Sequence, residues 1–314
     1  MVHNETVSVR EGELDFAGHR TWYRVTGEGA RPPVIVLHGG PGLAHNGCLP
    51  MAGLATDGRA IIHYDQLGCG RSTHLPDVDP SFWTIDLFKD ELHNVLAGLG
   101  IAEYHLVGHS WGGMLGVEFA IDRPPGLLSL TICNSPASMD LWMKAAAELL
   151  EQLPEPVRKT LLEHEAAGTT GSEEYRTATA FVYARHFCRV VPLPDHIEAS
   201  LAQLEEDPTV YHVMNGPSEF HVVGSLRGWS AVDRLGRIEV PTMVVAGEYD
   251  EVTPESWAPF TERIPDVRAH IFADASHTPH VEQPDEWLRV VGDFLRQHDA
   301  LTNPRDRNQR KASE

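Results

Sequence analysis

The chain has 314 residues, of which 42% are hydrophobic and 22% are charged, as in ordinary globular proteins. These values exclude a disordered or fibrous chain, and no apolar run approaches the roughly 18 residues that a membrane-spanning helix needs. The 45 acidic and 25 basic side chains leave a formal net charge of −20, which repels phosphate backbones and excludes general nucleic-acid binding.

The N-terminal part of the sequence alternates short apolar runs with glycine-rich turns. Strands are predicted at 20–26, 34–38, 60–64, 104–108 and 128–134. The second and fourth runs are continuously apolar, which indicates strands buried on both faces of a sheet. Residues 84–99 place apolar side chains on one side of a helix, and Gly100 follows where a C-terminal cap belongs. This alternation predicts an α/β fold, a mostly parallel sheet with helices on both faces.

The middle of the chain has a different pattern, with helices separated by Pro or Gly and no convincing buried strand. These helices are predicted at 140–153, 156–167, 172–187 and 195–206. Strand patterns return at 242–247 and 268–273, and an amphipathic helix is predicted at 284–298. The predicted organisation is an α/β core in two parts, an inserted all-helical cap and a disordered tail. Their bounds are 1–137 and 236–300 for the core, 138–235 for the cap and 301–314 for the tail.

The sequence Gly-His-Ser-Trp-Gly-Gly at 108–113 has the GxSxG pattern of a nucleophilic serine. It lies directly after a predicted buried strand and before a helical pattern, which is the context that this motif requires. Side chains near the serine would collide in so sharp a turn, so the chemistry needs glycines there. The motif predicts Ser110 as the nucleophile, and the alternative is a plain glycine-rich turn.

A serine hydroxyl is a weak nucleophile, so an orienting acid and a general base should follow it in the order Asp or Glu, then His. The loop after a late predicted strand contains Glu248 and Asp250, and we select Asp250 because its short side chain can reach a buried imidazole. His277 and His280 follow the next predicted strand, and we prefer His277 because it is nearer to the strand end. The predicted catalytic triad is Ser110, Asp250 and His277.

The tetrahedral intermediate of such a reaction needs two backbone N–H donors. One is expected from Trp111, the residue after the serine, and the other from the glycine-rich segment 38–42 that follows an early strand. Within this segment Gly40 is the expected donor, because Pro41 has no N–H. A phosphate-binding loop is the alternative for this segment, but no GK[ST] sequence follows it.

Three segments in this order resemble the prolyl aminopeptidase (proline iminopeptidase) family of α/β-hydrolases. They are His-Gly-Gly-Pro-Gly at 38–42, Asp-Gln-Leu-Gly-Cys-Gly-Arg-Ser at 65–72 and Gly-His-Ser-Trp-Gly-Gly at 108–113. The likeness extends through 214–220, 247–254 and 276–277, so it covers nearly the whole chain. The resemblance implies an α/β-hydrolase fold, a helical cap over the active site, and release of an unblocked N-terminal residue from a peptide, arylamide or amide.

One position departs from the family pattern, because Leu67 stands where the family usually has the arginine of Asp-Gln-Arg-Gly. This segment, together with Ser-Pro-Ala-Ser at 135–138 and Asp-Pro-Thr-Val-Tyr at 207–211, is similar to a branch of amino-acid amide hydrolases. Related branches remove aminoacyl caps from biosynthetic intermediates. The resemblance therefore implies recognition of a free amine and leaves the preferred N-terminal residue open.

Binding a free α-ammonium in a water-poor pocket requires carboxylates, because an unpaired buried charge is costly. The resemblance assigns this role to Glu219 and to Glu251, and Tyr211 adds a hydroxyl. Two carboxylates that bind one ammonium would leave a net negative site, which a blocked substrate could not neutralise. The alternative for Glu219 is an exposed acid that caps a helix. Aromatic residues of the cap are candidates for the side-chain pocket, with packing inside the cap as the alternative. They are Trp142, Phe181, Tyr183, Phe187 and Trp229.

The sequence as a whole predicts a serine hydrolase that needs no cofactor and no metal. Its four cysteines and 18 histidines form no CxxC or HExxH pattern, and its first thirty residues lack the order of a signal peptide, so a cytoplasmic location is expected. The expected substrate is a small peptide or amino-acid amide with a free α-amine, without nucleic-acid or membrane partners, and the oligomeric state stays open. The alternatives are a carboxylesterase or lipase-like hydrolase with the same triad, and a hydrolase fold that binds a ligand without turnover.

Overall fold

A computed structural model describes residues 7–219 and 221–300, which form an eight-stranded β-sheet covered by helices. The strands are β1 (Val9–Phe16), β2 (His19–Thr26), β3 (Arg31–Leu37), β4 (Arg59–Tyr64), β5 (Tyr104–His109), β6 (Leu127–Cys133), β7 (Thr242–Gly247) and β8 (Val267–Phe272). Their order across the sheet is β1-β2-β4-β3-β5-β6-β7-β8, and β2 is antiparallel to both of its neighbours while the pairings from β4 to β8 are parallel. The carboxyl ends of the parallel strands therefore share one edge, where the loops after β3, β5, β6, β7 and β8 meet.

The described residues also form helices. They are α1 (Ile85–Gly98), α2 (Trp111–Ile121), α3 (Met139–Glu151), α4 (Glu155–Ala167), α5 (Glu173–His186), α6 (Asp195–Glu206), α7 (Thr209–Met214), α8 (Pro254–Arg263), α9 (Pro279–Glu282) and α10 (Pro284–Gln297). Of these, α1, α2 and α8 pack on one face of this sheet and α10 on the other. Ile35 and Leu37 of β3 belong to the apolar cluster formed with α1, α2 and α8, whereas Val34 and Val36 belong to the cluster on the other face with α10 and the 3₁₀ segment His45–Asp57. Successive β3 side chains thus enter two separate cores, which explains the continuously apolar run in the sequence. The prediction of an α/β fold with helices on both faces is confirmed.

Every strand and helix predicted from the sequence is present within three residues of its expected bounds. The prediction missed β1, α7, α8 and the four-residue α9. Strand β1 lies at the edge of the sheet and is mostly polar; only Leu14 and Phe16 pack against the core, so it lacks the apolar alternation of a half-buried strand. Helix α7 has six residues, and α8 contains Pro259, which weakens the helical pattern.

The chain between β6 and β7 forms α3 to α7, with a small apolar cluster of its own. The cluster consists of Leu153, Leu161, Tyr175, Ala178 and Val182. This insertion begins and ends at one place, where Ser138 and Ser230 form an antiparallel bridge. Two backbone hydrogen bonds flank the bridge: the Met139 N–H donates to the Trp229 carbonyl at 2.9 Å, and the Ala231 N–H donates to the Ala137 carbonyl at 3.1 Å. The bounds predicted for the cap, 138 and 235, stay a prediction, and the tail predicted at 301–314 lies outside the described residues.

Within the described ranges, no helix combines the length and the apolar character that crossing a bilayer demands.

Candidate active site

Ser110 lies in the sharp turn between β5 and α2, with φ of 55° and ψ of −121°. A non-glycine residue in this region is strained, and such strain is typical of functional sites. The neighbouring glycines are needed because no side chain fits beside the turn. A Cβ on Gly108 would lie 2.2 Å from the Gly112 carbonyl oxygen, and one on Gly112 would lie 2.1 Å from that of Leu37. The sequence motif therefore forms the strained strand–turn–helix that holds a serine hydroxyl away from the sheet.

The structure brings His277 and Asp250 together from the loops after β8 and β7. The Nδ1 of His277 lies 2.7 Å from Oδ1 of Asp250, and both side chains are buried. Asp250 is held in turn by Asn134, whose Nδ2 donates to Oδ2 at 2.6 Å, and by the Val252 N–H, which donates to Oδ1 at 2.9 Å. These contacts leave Nε2 of His277 as the nitrogen that is free to exchange a proton with a serine.

The two residues that competed with this pair in the sequence have other contacts. Glu248 is exposed and accepts a hydrogen bond from the Asp274 N–H at 3.0 Å. His280 is buried and its Nε2 donates to the Gly47 carbonyl at 2.9 Å, while burial lowers its pKa to about 4. The geometry therefore favours Asp250 and His277 over Glu248 and His280.

The loop that carries His277 is fixed by the cap and by the core. The His277 N–H donates to the His186 carbonyl at 3.1 Å, and the imidazole stacks on Phe187 with ring centroids 5.9 Å apart. From the core side, Nε2 of His109 donates to the His277 carbonyl at 2.8 Å. Glu282 accepts hydrogen bonds from the N–H and hydroxyl of Ser276 at 3.1 and 2.7 Å. The described part of the chain thus leaves the imidazole little freedom to move.

Gly40 and Trp111 line the same cavity as Ser110 and His277. Trp111 is the first residue of α2, so its N–H is one of the amides that a helix leaves without an internal partner. Its indole N–H donates to Oε1 of Gln66 at 2.8 Å, which anchors the residue. Gly40 has φ of +117°, and a Cβ there would lie 2.4 Å from the Gly42 nitrogen, so the loop conformation requires glycine.

Two carboxylates face Ser110 and His277 from different parts of the chain. Glu219, in the loop after α7, accepts a hydrogen bond from the Tyr211 hydroxyl at 2.7 Å. Glu251 is buried, with Oε1 3.7 Å from Nε2 of His277, and its Oε2 has no hydrogen-bond partner among the described residues. Both line one cavity with Ser110, and no lysine or arginine is found in the described lining of that cavity. We name it the carboxylate cavity.

The electrostatics of this cavity reflect burial and the shortage of cations. Burial raises the pKa of Glu251 well above its usual range, and it also raises that of Glu219 against the opposing effect of the Tyr211 hydrogen bond. For His277, burial acts to lower the pKa, but the carboxylates of Asp250 and Glu251 outweigh it and raise the value to about 9. A cation that entered here would relieve the repulsion between the carboxylates.

A second cavity is also lined by Ser110 and shares Gly40, Glu219 and His277 with the first. Its remaining lining is mainly apolar. The residues are Trp111, Met114, Pro136, Met139, Trp142, Asn215, Leu226 and Val252. We name it the apolar cavity.

Three of the five cap aromatics line the site and two have contacts elsewhere. Trp142 lines the apolar cavity, whereas Tyr183 and Phe187 line the carboxylate cavity. Phe181 instead packs under the guanidinium of Arg185, 3.7 Å from the ring centroid. Trp229 donates its indole N–H to Glu118 at 2.7 Å.

Sequence reasoning missed Asn134 and Glu282, which hold the acid and the histidine loop. Asn134 carried a signal, since it directly follows the carboxyl end of β6, whereas nothing in the sequence distinguished Glu282 from a surface acid. Across the described residues, no group of three or more His, Cys, Asp or Glu side chains could hold a metal ion.

Comparison with known proteins gives matches over most of the chain. A family model described as alpha/beta hydrolase fold matches residues 32–284. The proline iminopeptidase of Heyndrickxia coagulans is 36% identical over 292 residues, which cover 91% of this chain and 98% of the relative. That of Saccharolobus solfataricus is 31% identical over 294 residues, which cover 93% of this chain and 94% of the relative.

Two solved structures are more similar in sequence. The proline iminopeptidase of Mycobacterium smegmatis is 55% identical with a TM-score of 0.87, and VinJ is 50% identical with a TM-score of 0.91. Each alignment covers 92% of this chain and 99% of the other chain.

Proposed function

Because this chain belongs to the proline iminopeptidase family of α/β-hydrolases, we propose that it releases an unblocked N-terminal amino acid through an aminoacyl-enzyme on Ser110. The chain is a hydrolase of the aminopeptidase type. The observation that carries the proposal is the carboxylate cavity, in which Ser110 and His277 share one space with Glu219 and Glu251.

The proposed acylation step uses Ser110 as nucleophile and His277 as base. As the Oγ–C bond forms, the hydroxyl proton passes to Nε2 of His277, and the carbonyl oxygen becomes an oxyanion that accepts hydrogen bonds from the amides of Gly40 and Trp111. The C–N bond then breaks, and His277 returns the proton to the leaving amine. Asp250 keeps Nδ1 protonated and directed away from the serine throughout.

Deacylation repeats these steps with water in place of the serine hydroxyl. His277 accepts a proton from the attacking water, the ester bond to Ser110 breaks, and the serine oxygen regains its proton from the imidazolium. The free amino acid leaves, and the site returns to its starting charge. No cofactor enters this sequence.

Recognition of the amine follows from the charge of the carboxylate cavity. A free α-ammonium would lie between Glu219 and Glu251, where it supplies the positive charge that the lining lacks. Tyr211 would keep Glu219 oriented. An N-acylated substrate brings no charge and would leave both carboxylates unpaired, so the cavity favours chain ends over internal bonds. An ester-cleaving lipase-like enzyme has no need for this pair of acids.

We propose a small peptide or amino-acid amide as the substrate. Removal of an aminoacyl cap from a biosynthetic intermediate would be the same reaction with a larger leaving group. The apolar cavity next to Ser110 supports an uncharged group beside the scissile bond.

The proposal is tested by kcat/KM on Pro-, Ala- and Phe-arylamides and on their N-acetylated forms. We expect the free amines to be favoured at least about tenfold, and Glu219→Gln to lose at least about tenfold on the free amines alone, or roughly 1.4 kcal/mol of transition-state binding. Equal hydrolysis of acetylated substrates would show that the carboxylates do not recognise an amine.

The nucleophile is tested by labelling with a fluorophosphonate probe. Wild type should be labelled at Ser110, whereas Ser110→Ala should lose both labelling and hydrolysis. Ser81→Ala, at an exposed serine far along the chain from the motif, serves as the matched control. Absence of labelling in wild type even at pH 10, above the pKa of about 9 of His277, would contradict a serine hydrolase.

A further inference from the structure

Glu251 lies beside the one nitrogen of His277 that must accept the proton of Ser110. Asp250 occupies Nδ1 at 2.7 Å, and Oε1 of Glu251 lies 3.7 Å from Nε2. The other oxygen of Glu251, Oε2, is buried and has no hydrogen-bond partner among the described residues. The imidazole is thus placed between two carboxylates, although a triad requires only the one on Nδ1.

We infer that Glu251 couples amine recognition to the reactivity of Ser110. Without an ammonium in the cavity, Glu251 holds His277 as an imidazolium that cannot accept the serine proton; the ammonium of the substrate pairs with Glu251 and releases that proton. This inference rests on the proposed function, since it assigns a second role to a carboxylate of the amine site.

The charged and titratable groups around His277 support this coupling. On the cavity side they are Glu219, Glu251, Tyr183 and Tyr211, and Asp250 lies behind the ring. On the core side they are His109, with a ring centroid 4.8 Å from that of His277, and His280, next to His109.

Only the carboxylates among these groups favour a charged His277, and a charged His277 in turn acts to lower the pKa of Glu251 that burial raises. Burial lowers the pKa of both His109 and His280, so these rings remain neutral at pH 7. Burial likewise raises the pKa of Tyr183 and of Tyr211, which therefore carry no charge. The carboxylates of Asp250 and Glu251 raise the pKa of His277 to about 9 despite its burial. At pH 7 most of His277 would then be the imidazolium in the empty site.

Entry of an ammonium changes this balance in two ways. It pairs with Glu251, which removes one of the charges that stabilise the imidazolium, and it places a like charge near the ring. The Nε2 proton of His277 then passes to solvent, and the neutral imidazole accepts the proton of Ser110 as the Oγ–C bond forms. A blocked substrate is rejected because the nucleophile stays inactive, in addition to any loss of binding.

The test measures inactivation by phenylmethylsulfonyl fluoride, a serine reagent without an amine, from pH 5 to pH 10. In this reaction the Oγ–S bond forms, the serine proton passes to His277, and the S–F bond breaks with fluoride leaving. We expect the rate in wild type to rise through an apparent pKa of about 9. Glu251→Gln should lower this midpoint by at least about one unit and accelerate inactivation at pH 7 at least about tenfold, while it slows arylamide hydrolysis.

The matched control is Glu248→Gln, which removes a carboxylate from the same loop at an exposed position and should leave the wild-type profile unchanged. A second measurement needs no variant: ethylammonium chloride should accelerate inactivation of wild type at pH 7, whereas potassium chloride at the same ionic strength should not.

The outcomes separate this inference from the proposed function. If Glu251→Gln is inactivated no faster than wild type at pH 7, or if ethylammonium has no effect on wild type, the coupling is wrong, even where free-amine arylamides are still preferred. If wild type hydrolyses free and acetylated arylamides equally well, the proposed function itself fails.

Discussion

The core and the cap contribute different things to the candidate site. Ser110, Asp250 and His277 follow the carboxyl ends of the parallel strands β5, β7 and β8, and the acid and the histidine are held by several hydrogen bonds. Glu219 and Tyr211 come from the cap, and the carboxylate of Glu219 is oriented by the Tyr211 hydroxyl. Under the proposed function the strand ends supply the reacting groups, while recognition of the substrate is shared between Glu251 of the core and Glu219 of the insertion.

The largest effect on the core side is expected from Asp250→Asn. An amide at this position cannot stabilise the imidazolium and favours the wrong tautomer of His277, so kcat should fall by about 10³ to 10⁴. The measurement is kcat and KM on a free-amine arylamide, with KM nearly unchanged because the cap residues are intact.

Glu248→Gln is the control for this change, because Glu248 lies two residues away in the same loop. Its carboxylate is exposed and accepts a hydrogen bond from the Asp274 N–H. Comparable losses in both variants would mean that Asp250 acts through the shape of the loop and not through the imidazole.

The free energy of unfolding should fall in acid, because two buried histidines of the core resist protonation in the folded state. Burial lowers the pKa of His63 and of His280 to about 4, and each ring nitrogen Nε2 donates to a backbone carbonyl. The unfolded chain binds these protons near pH 6.5, so it holds more protons than the folded chain between pH 6.5 and pH 4. Stability is therefore present above pH 6.5 and is lost as the pH falls toward 4, by about 3 kcal/mol for each such histidine.

Urea unfolding followed by circular dichroism at pH 7, 5.5 and 4.5 measures this loss. His280→Gln keeps a donor for the Gly47 carbonyl and should reduce the change in unfolding free energy between these pH values. An unchanged pH dependence in the variant would rule out His280 as a source of the acid sensitivity.

The smallest effect is expected on the cap side, from Tyr211→Phe. The Tyr211 hydroxyl lowers the pKa of Glu219, so its removal should make that carboxylate less charged and less well oriented. KM for a free-amine arylamide should rise about threefold, with kcat nearly unchanged, as expected for one lost hydrogen bond. A fall in kcat with constant KM would instead assign Tyr211 to the reacting groups.

The sequence was informative where local geometry and chemistry coincide. The glycines at 108 and 112 are required by backbone contacts of about 2 Å that no side chain allows, so the position of Ser110 could be predicted without coordinates. Continuous apolar runs predicted the central strands because both faces of the sheet are packed. Strand β1, polar and at the sheet edge, has neither property and was missed.

Relations between distant segments could not be predicted in the same way. No periodicity links Phe187 to His277, or Glu282 to the loop of Ser276, because these contacts depend on how the cap and the last helices fold back on the core. The 3.7 Å separation between Glu251 and His277 is also a property of the folded loops. Leu67 is similar: its side chain is buried in the core cluster and lines neither cavity, which the family pattern alone did not indicate.

The bridge between Ser138 and Ser230 has a consequence for evolution. Since the insertion leaves and re-enters the core at one point, it is equivalent to a single long loop between two strands, and its two ends are hydrogen-bonded to each other. Lengthening, shortening or replacing the helices between these serines requires no rearrangement of the strands that carry the nucleophile, the acid and the histidine. Under the proposed function, a lineage that alters this one segment would change the preferred molecule and keep the reaction, provided that the contact between His186 and His277 is retained.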